Sequence, residues 1–144
     1  MILQSRRKSR IKPKSVFLQE FRKDVTTQRG EDGIVEKIFE IIGATNRYCV
    51  EFGAWDGKLY SSTWNLLNNH RWGGLLIEAN EVKFAELEGA YRGNDQVATL
   101  NTLVEQEGEA SLDAILTRAG APVDLDFLCI DVDGVDWHIW NSLT

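Results

Sequence analysis

Five acidic residues of this chain stand where short apolar runs stop: Glu51, Glu78, Asp131, Asp133 and Asp136. The first run is Y-C-V-E-F, Tyr48 to Phe52, and it leads at once into G-A-W-D-G. Gly53 and Gly57 therefore follow Glu51 in the pattern E-x-G-x-x-x-G. The second run, G-G-L-L-I, closes on Glu78, 27 residues after Glu51. The third, Phe127 to Ile130, meets the other three acids in I-D-V-D-G-V-D-W. A carboxylate at such a place can accept paired hydrogen bonds from a diol or hold a cation. It can also take the proton of a hydroxyl that is becoming a nucleophile.

An apolar strand running into a glycine turn is how open α/β sheets build a ligand crevice at their carboxyl edge. Dinucleotide sites use G-x-G-x-x-G to bring a pyrophosphate against a helix N-terminus. That pattern is absent here, which argues against a nicotinamide oxidoreductase. S-adenosylmethionine carries no phosphate but does carry an ammonium and a sulfonium, so carboxylates beside the turn suit it. An acid at the end of the second strand is the usual ribose ligand of Rossmann-like sheets, about 20 residues after the glycine turn. Glu78 fills that position. Each feature also has a plain structural reading, as a strand-turn-helix with two glycines and a solvated strand end.

Here the chain resembles the FkbM-like methyltransferases, a branch of the class I S-adenosylmethionine-dependent family. The likeness rests on Q-R-G-E-D-G-I-V-E-K-I-F at Gln28 to Phe39, V-E-F-G-A-W-D-G at Val50 to Gly57, and D-F-L-C-I-D-V-D-G at Asp126 to Gly134. L-L-I-E-A-N at Leu75 to Asn80 and S-L-D at Ser111 to Asp113 also fit, so the resemblance covers roughly residues 28 to 143. It implies a Rossmann-like three-layer α/β sandwich with a mostly parallel sheet in the order 3-2-1-4, continuing in the family to strands 5, 7 and 6. By the same resemblance Glu51, Gly53 and Gly57 surround the methionine part of the cofactor and Glu78 takes the ribose. Asn101 touches the adenine, and Asp131 lies near the ammonium or the acceptor. The implied reaction is methylation of a hydroxyl on a sugar or secondary metabolite, with Asp133 and Asp136 as candidate bases and His138 behind them. A catalytically silent Rossmann-like binding module is the alternative. Asp131, Asp133 and Asp136 are oxygen ligands that suit magnesium or calcium, but the loop lacks the EF-hand pattern and no metal is expected.

The elements that must position these residues alternate. Amphipathic periodicity predicts helices over Asp32 to Ile42, Ser61 to Asn69, Glu81 to Tyr91 and Ser111 to Arg118, with another starting at Trp137. Strands are expected at Tyr48 to Phe52, Leu75 to Ile77, Gln96 to Leu100 and Asp126 to Ile130. Their unbroken apolar character suits a parallel sheet covered on both faces. Cys49 and Cys129 each stand two residues before a strand-end acid and are expected side by side, buried and reduced. Trp55 and Trp137 flank the acidic loops, as pocket lining or as cover.

The composition bounds the rest. Of 144 residues 43% are apolar and 26% charged, which fits a globular chain. Residues 1 to 14 hold six of the 16 basic residues and no acid, leaving the remainder with a net charge of −12. The reading is a basic arm over 1 to 14 and the first part of a methyltransferase domain over 15 to 144. An acidic body disfavours nucleic acid as a partner. No apolar run reaches the length of a membrane helix, no signal-peptide core precedes Ile11, and a cytoplasmic location is the default. Ending at Thr144 is expected to leave the fourth strand as an apolar edge, open to self-association.

Overall fold

The computed structural model describes residues 13–132 and 134–144. The basic arm falls almost wholly outside these, as does Asp133. A 3-10 helix, Pro13–Phe21, leads into α1 (Glu31–Ile42), β1 (Tyr48–Phe52), α2 (Trp64–Asn68), β2 (Gly73–Glu78) and α3 (Glu81–Tyr91). Then come β3 (Val97–Asn101), a short 3-10 turn (Gly108–Ala110), α4 (Leu112–Arg118), β4 (Phe127–Ile130) and α5 (Asp136–Ser142). The sheet runs β3-β2-β1-β4, and every pairing is parallel. The expected α/β Rossmann-like architecture and strand order are therefore present. No helix among the described residues is long and apolar enough to cross a membrane.

Local chemistry explains most boundaries. Asn80 caps α3 by accepting from Val82 N and Lys83 N, each at 3.0 Å. Ser111 caps α4 by accepting from Ala114 N. Gly43 ends α1 at φ 79°, returning its N–H to Phe39 O. The second helix is shorter than its periodicity predicts. Ser61 Oγ bonds outward to the Glu51 carboxylate as well as accepting from Trp64 N. The chain there follows the buried acid and becomes helical only at Trp64.

The two sheet faces are covered by different helices. Cys49 and Leu76 pack with Leu66, Leu67, Leu87 and Tyr91 beneath α1, α2 and α3. Val50, Phe52, Leu75 and Ile77 pack with Leu112, Ile115 and Ile139 of α4 and α5. Each fully buried aliphatic or aromatic side chain of this kind contributes roughly 1.5–3 kcal/mol. Gly74 is required for the close spacing on the first face, since a Cβ there would lie 2.6 Å from Cys49 O and 3.0 Å from Leu67 Cδ2.

The connection leaving β1 turns to one face and that leaving β4 turns to the other. The β1–β4 boundary is thus the topological switch point, where open α/β sheets form a crevice at their carboxyl ends. The thiols differ from expectation. β1 and β4 are neighbours, but the register sets Cys49 beside Phe127 and Cys129 beside Glu51. Both cysteines are free; Cys49 is buried and Cys129 half-buried, because β4 has a neighbour on one side only among the described residues.

Candidate functional site

Gly53 lies at the switch point, and only glycine fits there. Its φ is +78°, and a Cβ would stand 1.9 Å from Asp131 O. Phe52 O accepts from Asp131 N at 3.2 Å, and Ile77 O accepts from Gly53 N at 3.0 Å and Ala54 N at 3.1 Å. The three strand ends are thereby knotted together by backbone bonds. Gly57 has a different role. At φ +77° it presses on α3, where a Cβ would meet Leu87 Cδ1 at 2.5 Å, and its carbonyl accepts from Tyr91 Oη. It shapes the turn from below.

Glu78 is 6% exposed and lines a cavity of about 150 Å³ with Phe52, Gly53, Ile77, Leu103, Val104 and Val132. Its Oε2 accepts from Trp55 N at 2.8 Å and its Oε1 from Asn80 N at 2.7 Å. A carboxylate has about four acceptor positions, so each oxygen keeps one for a ligand. Trp55 reaches that bond with φ 52°, a left-handed conformation rare for a large side chain. Trp55 is 44% exposed, with Lys83 Nζ 4.9 Å from its ring centroid. Asn101 stands beside Glu78 in the sheet register, and its amide donates to Glu78 O at 2.7 Å and Ala79 O at 3.3 Å.

Glu51 does not present a free carboxylate at the turn. It is 3% exposed and accepts from Ser61 Oγ at 2.7 Å, Thr63 Oγ1 at 2.6 Å and Ser62 N at 2.8 Å. Burial raises its pKa above the ordinary carboxylate value, and those bonds only partly offset this. Burial, with the Glu51 charge beside it, also pushes the Cys129 thiol up to about 12. The reason is the strand pleat: the Glu51 side chain points under the α2 face, where serine and threonine hydroxyls meet it.

Asp131 is exposed and lines a polar crevice of about 450 Å³ with Thr27, Gln28, Arg29, Glu31, Tyr60 and Ser62. Asp136 is committed locally. Its Oδ1 accepts from Val132 N at 3.0 Å and its Oδ2 from Gly134 N at 3.1 Å, and the Val132 bond leads in lowering its pKa. Asp136 thus holds the loop after β4, as an acid at the start of a helix does. His138 is exposed on α5. Among the described residues, no three His, Cys, Asp or Glu side chains are arranged to hold a metal ion.

Sequence reasoning missed the residue that builds the crevice's other wall. Asp32 is 2% exposed, and its Oδ2 accepts from Val25 N at 2.8 Å, Thr26 N and Thr27 N at 2.9 Å, and Thr27 Oγ1 at 2.7 Å. Burial acts to raise its pKa, but the bonds from Thr27, Val25 and Thr26 outweigh it and the net shift is downward. The signal was the pair Thr26 and Thr27 shortly before an acid in the first turn of α1, a grouping that competes for backbone N–H groups. Gly53 lines the cavity of Glu78 and Asp131 lines the polar crevice, and the two residues are in close backbone contact. Comparison of the chain with protein-family models, curated proteins and solved structures finds no match.

Proposed function

We propose that this chain binds S-adenosylmethionine at the carboxyl edge of its sheet and serves methyl transfer to a hydroxyl on a small acceptor, a sugar or a secondary metabolite. The observation that carries the reading is Glu78: a buried carboxylate at the switch-point end of β2, lining a cavity, with an acceptor position left on each oxygen. A ribose diol matches those two positions. The apolar walls from Ile77, Leu103, Val104 and Val132 suit the faces of a purine. Asp131, exposed beyond Gly53, suits the ammonium of the amino-acid end.

The cofactor supplies a methyl group already activated by a positively charged sulfur. What remains for the chain is to hold, align and keep water out. Glu78 holds the sugar, Gly53 lets the Asp131 backbone close against the end of β1, and the polar crevice receives the acceptor. Asp131 serves either the ammonium or the acceptor; where the acceptor lies against it, its exposed carboxylate can take the hydroxyl proton. Glu51 acts only through the loop it organises, and Asp136 only through the turn it caps. A module that binds without turnover is favoured by one observation, the commitment of Asp136 to two backbone N–H groups.

The test is calorimetric titration with S-adenosylhomocysteine, S-adenosylmethionine and NAD, followed by a methyl-transfer screen. The first two ligands should bind and NAD should not. Glu78→Ala should weaken binding by about 2–3 kcal/mol, the worth of hydrogen bonds to a charged group. Equal affinity in wild type and variant would remove the ribose assignment. Binding with no transfer to any acceptor would favour the silent module.

A further inference from the structure

We infer that Asn101 is a positioning residue for the Glu78 carboxylate, its amide donors spent on the backbone that holds that acid. The argument lies in one peptide group. The Asn101 amide donates to Glu78 O at 2.7 Å and to Ala79 O at 3.3 Å. The peptide that carries Ala79 O also carries Asn80 N, and Asn80 N donates to Glu78 Oε1 at 2.7 Å. In a trans peptide the C=O and N–H point in opposite directions and turn as one plane. Asn101 therefore grips that plane from one side while Glu78 is gripped by it from the other. The second hold on the carboxylate, Trp55 N at 2.8 Å, comes from a residue in the left-handed region. That hold is strained by itself, so the Asn80 side is the one that must be rigid. Both bonds of the Asn101 amide nitrogen go to backbone carbonyls, so its donors are occupied in holding the Glu78–Asn80 segment rather than in reading a base.

The test has one arm free of ligand and one that rests on the nucleoside reading above. In the free protein, hydrogen exchange of the Trp55 and Asn80 amides should speed up in Asn101→Ala, while the Leu76 and Ile77 amides inside β2 keep their protection. Unchanged exchange at Trp55 and Asn80 would overturn the inference. In the second arm, adenosine, 2′-deoxyadenosine and guanosine are titrated by protein-observed NMR. Wild type should prefer adenosine over its 2′-deoxy analogue on the order of tenfold, the loss expected when a charge-assisted bond is removed. Asn101→Ala should erase that preference and leave the adenosine-to-guanosine ratio unchanged. In a Glu78→Gln background the same substitution should have no further effect on the ribose preference. A changed base ratio with an intact ribose preference would make Asn101 a base contact and overturn the proposal. If wild type binds no nucleoside, the cofactor reading falls and the exchange arm alone decides the role of Asn101.

Discussion

The hydroxyl of Thr26 donates to the carbonyl of Ser61 at 2.9 Å, across 35 residues of chain. This bond joins two buried acids that never touch. Asp32 gathers the backbone of Val25, Thr26 and Thr27 on one side, and Glu51 gathers Ser61, Ser62 and Thr63 on the other. Between these two loops lies the polar crevice that ends at Asp131. Its walls are set by buried carboxylates before any ligand arrives, which is the preorganisation that binding sites need.

Asp32→Ala should destabilise the fold by about 3 kcal/mol, since it strands several donors at once. The pH dependence has a definite sign. The folded pKa of Asp32 lies below its unfolded value, so its contribution is present above the unfolded pKa and is lost as pH falls through the folded one. Urea unfolding at a series of acidic pH values should show a shallower acid limb in the variant than in wild type.

Glu51 has the opposite sign. Its folded pKa is raised, so its contribution is full below the unfolded pKa and is lost as pH rises through the folded value. Glu51→Gln should match wild type in acid and exceed it at neutral and alkaline pH. Glu51→Ala leaves the Ser61, Ser62 and Thr63 donors unpartnered and should cost about 3 kcal/mol in acid, a gap that narrows as pH rises and the wild type loses its own contribution. Denaturant midpoints from pH 4 to 9 separate the three proteins. A glutamine variant weaker than wild type at pH 8 would show that the carboxylate is ionised and stabilising.

Gly53→Ala should be the most damaging single change at the crevice. It combines a left-handed φ, costing about 1–2 kcal/mol for a residue with a Cβ, with a Cβ 1.9 Å from Asp131 O. The β1–β4 loops must part to admit it. Thermal melting should fall by several degrees and cofactor affinity should fall with it. A variant that melts like wild type would mean that the loops are free to separate.

Neither cysteine should react in the native state. Burial raises the Cys49 thiol and brings the Cys129 thiol up to about 12, which leaves almost no thiolate at pH 8. Labelling with a thiol reagent should be slow without denaturant and complete for both in its presence. The half-buried Cys129 should be the faster of the two.

The outer edge of β4 is expected to drive weak self-association. It adjoins an apolar groove lined by Leu116, Val123, Leu125, Leu128 and Leu143, and Val123, Trp137 and Trp140 are exposed nearby in sequence. Exposed strand edges with apolar surroundings template pairing with another chain. Sedimentation should show a concentration-dependent increase in mass that falls in the Val123→Glu, Trp140→Glu double variant. An unchanged mass distribution in that variant would clear this face.

The architecture and the strand order agree with the sequence reading because they follow from short-range rules. Apolar runs of four to six residues, each followed by a turn and an amphipathic helix, leave a parallel sheet as the solution that buries them all. Glu78 and Gly53 were identifiable for the same reason, as residues at strand ends whose exit direction the sheet dictates. Where a side chain turns after its strand ends was not legible. Glu51 was read as facing a ligand, yet the pleat sends it under α2, and Asp136 was read as a base, yet two backbone N–H groups fold back onto it. The register that parts Cys49 from Cys129 was hidden too, since a parallel pairing is set by packing along the whole strand. Asp32 shows the limit most plainly. Its type and position in the first turn of α1 are written in the sequence, but its partners come from a loop that doubles back onto it. Sequence determines which residues sit at a strand end or a helix start, because those places depend on neighbours a few positions away. Tertiary structure alone decides which carboxylate is occupied and which is open, because that depends on how the chain folds donors 2 to 23 residues away back onto it.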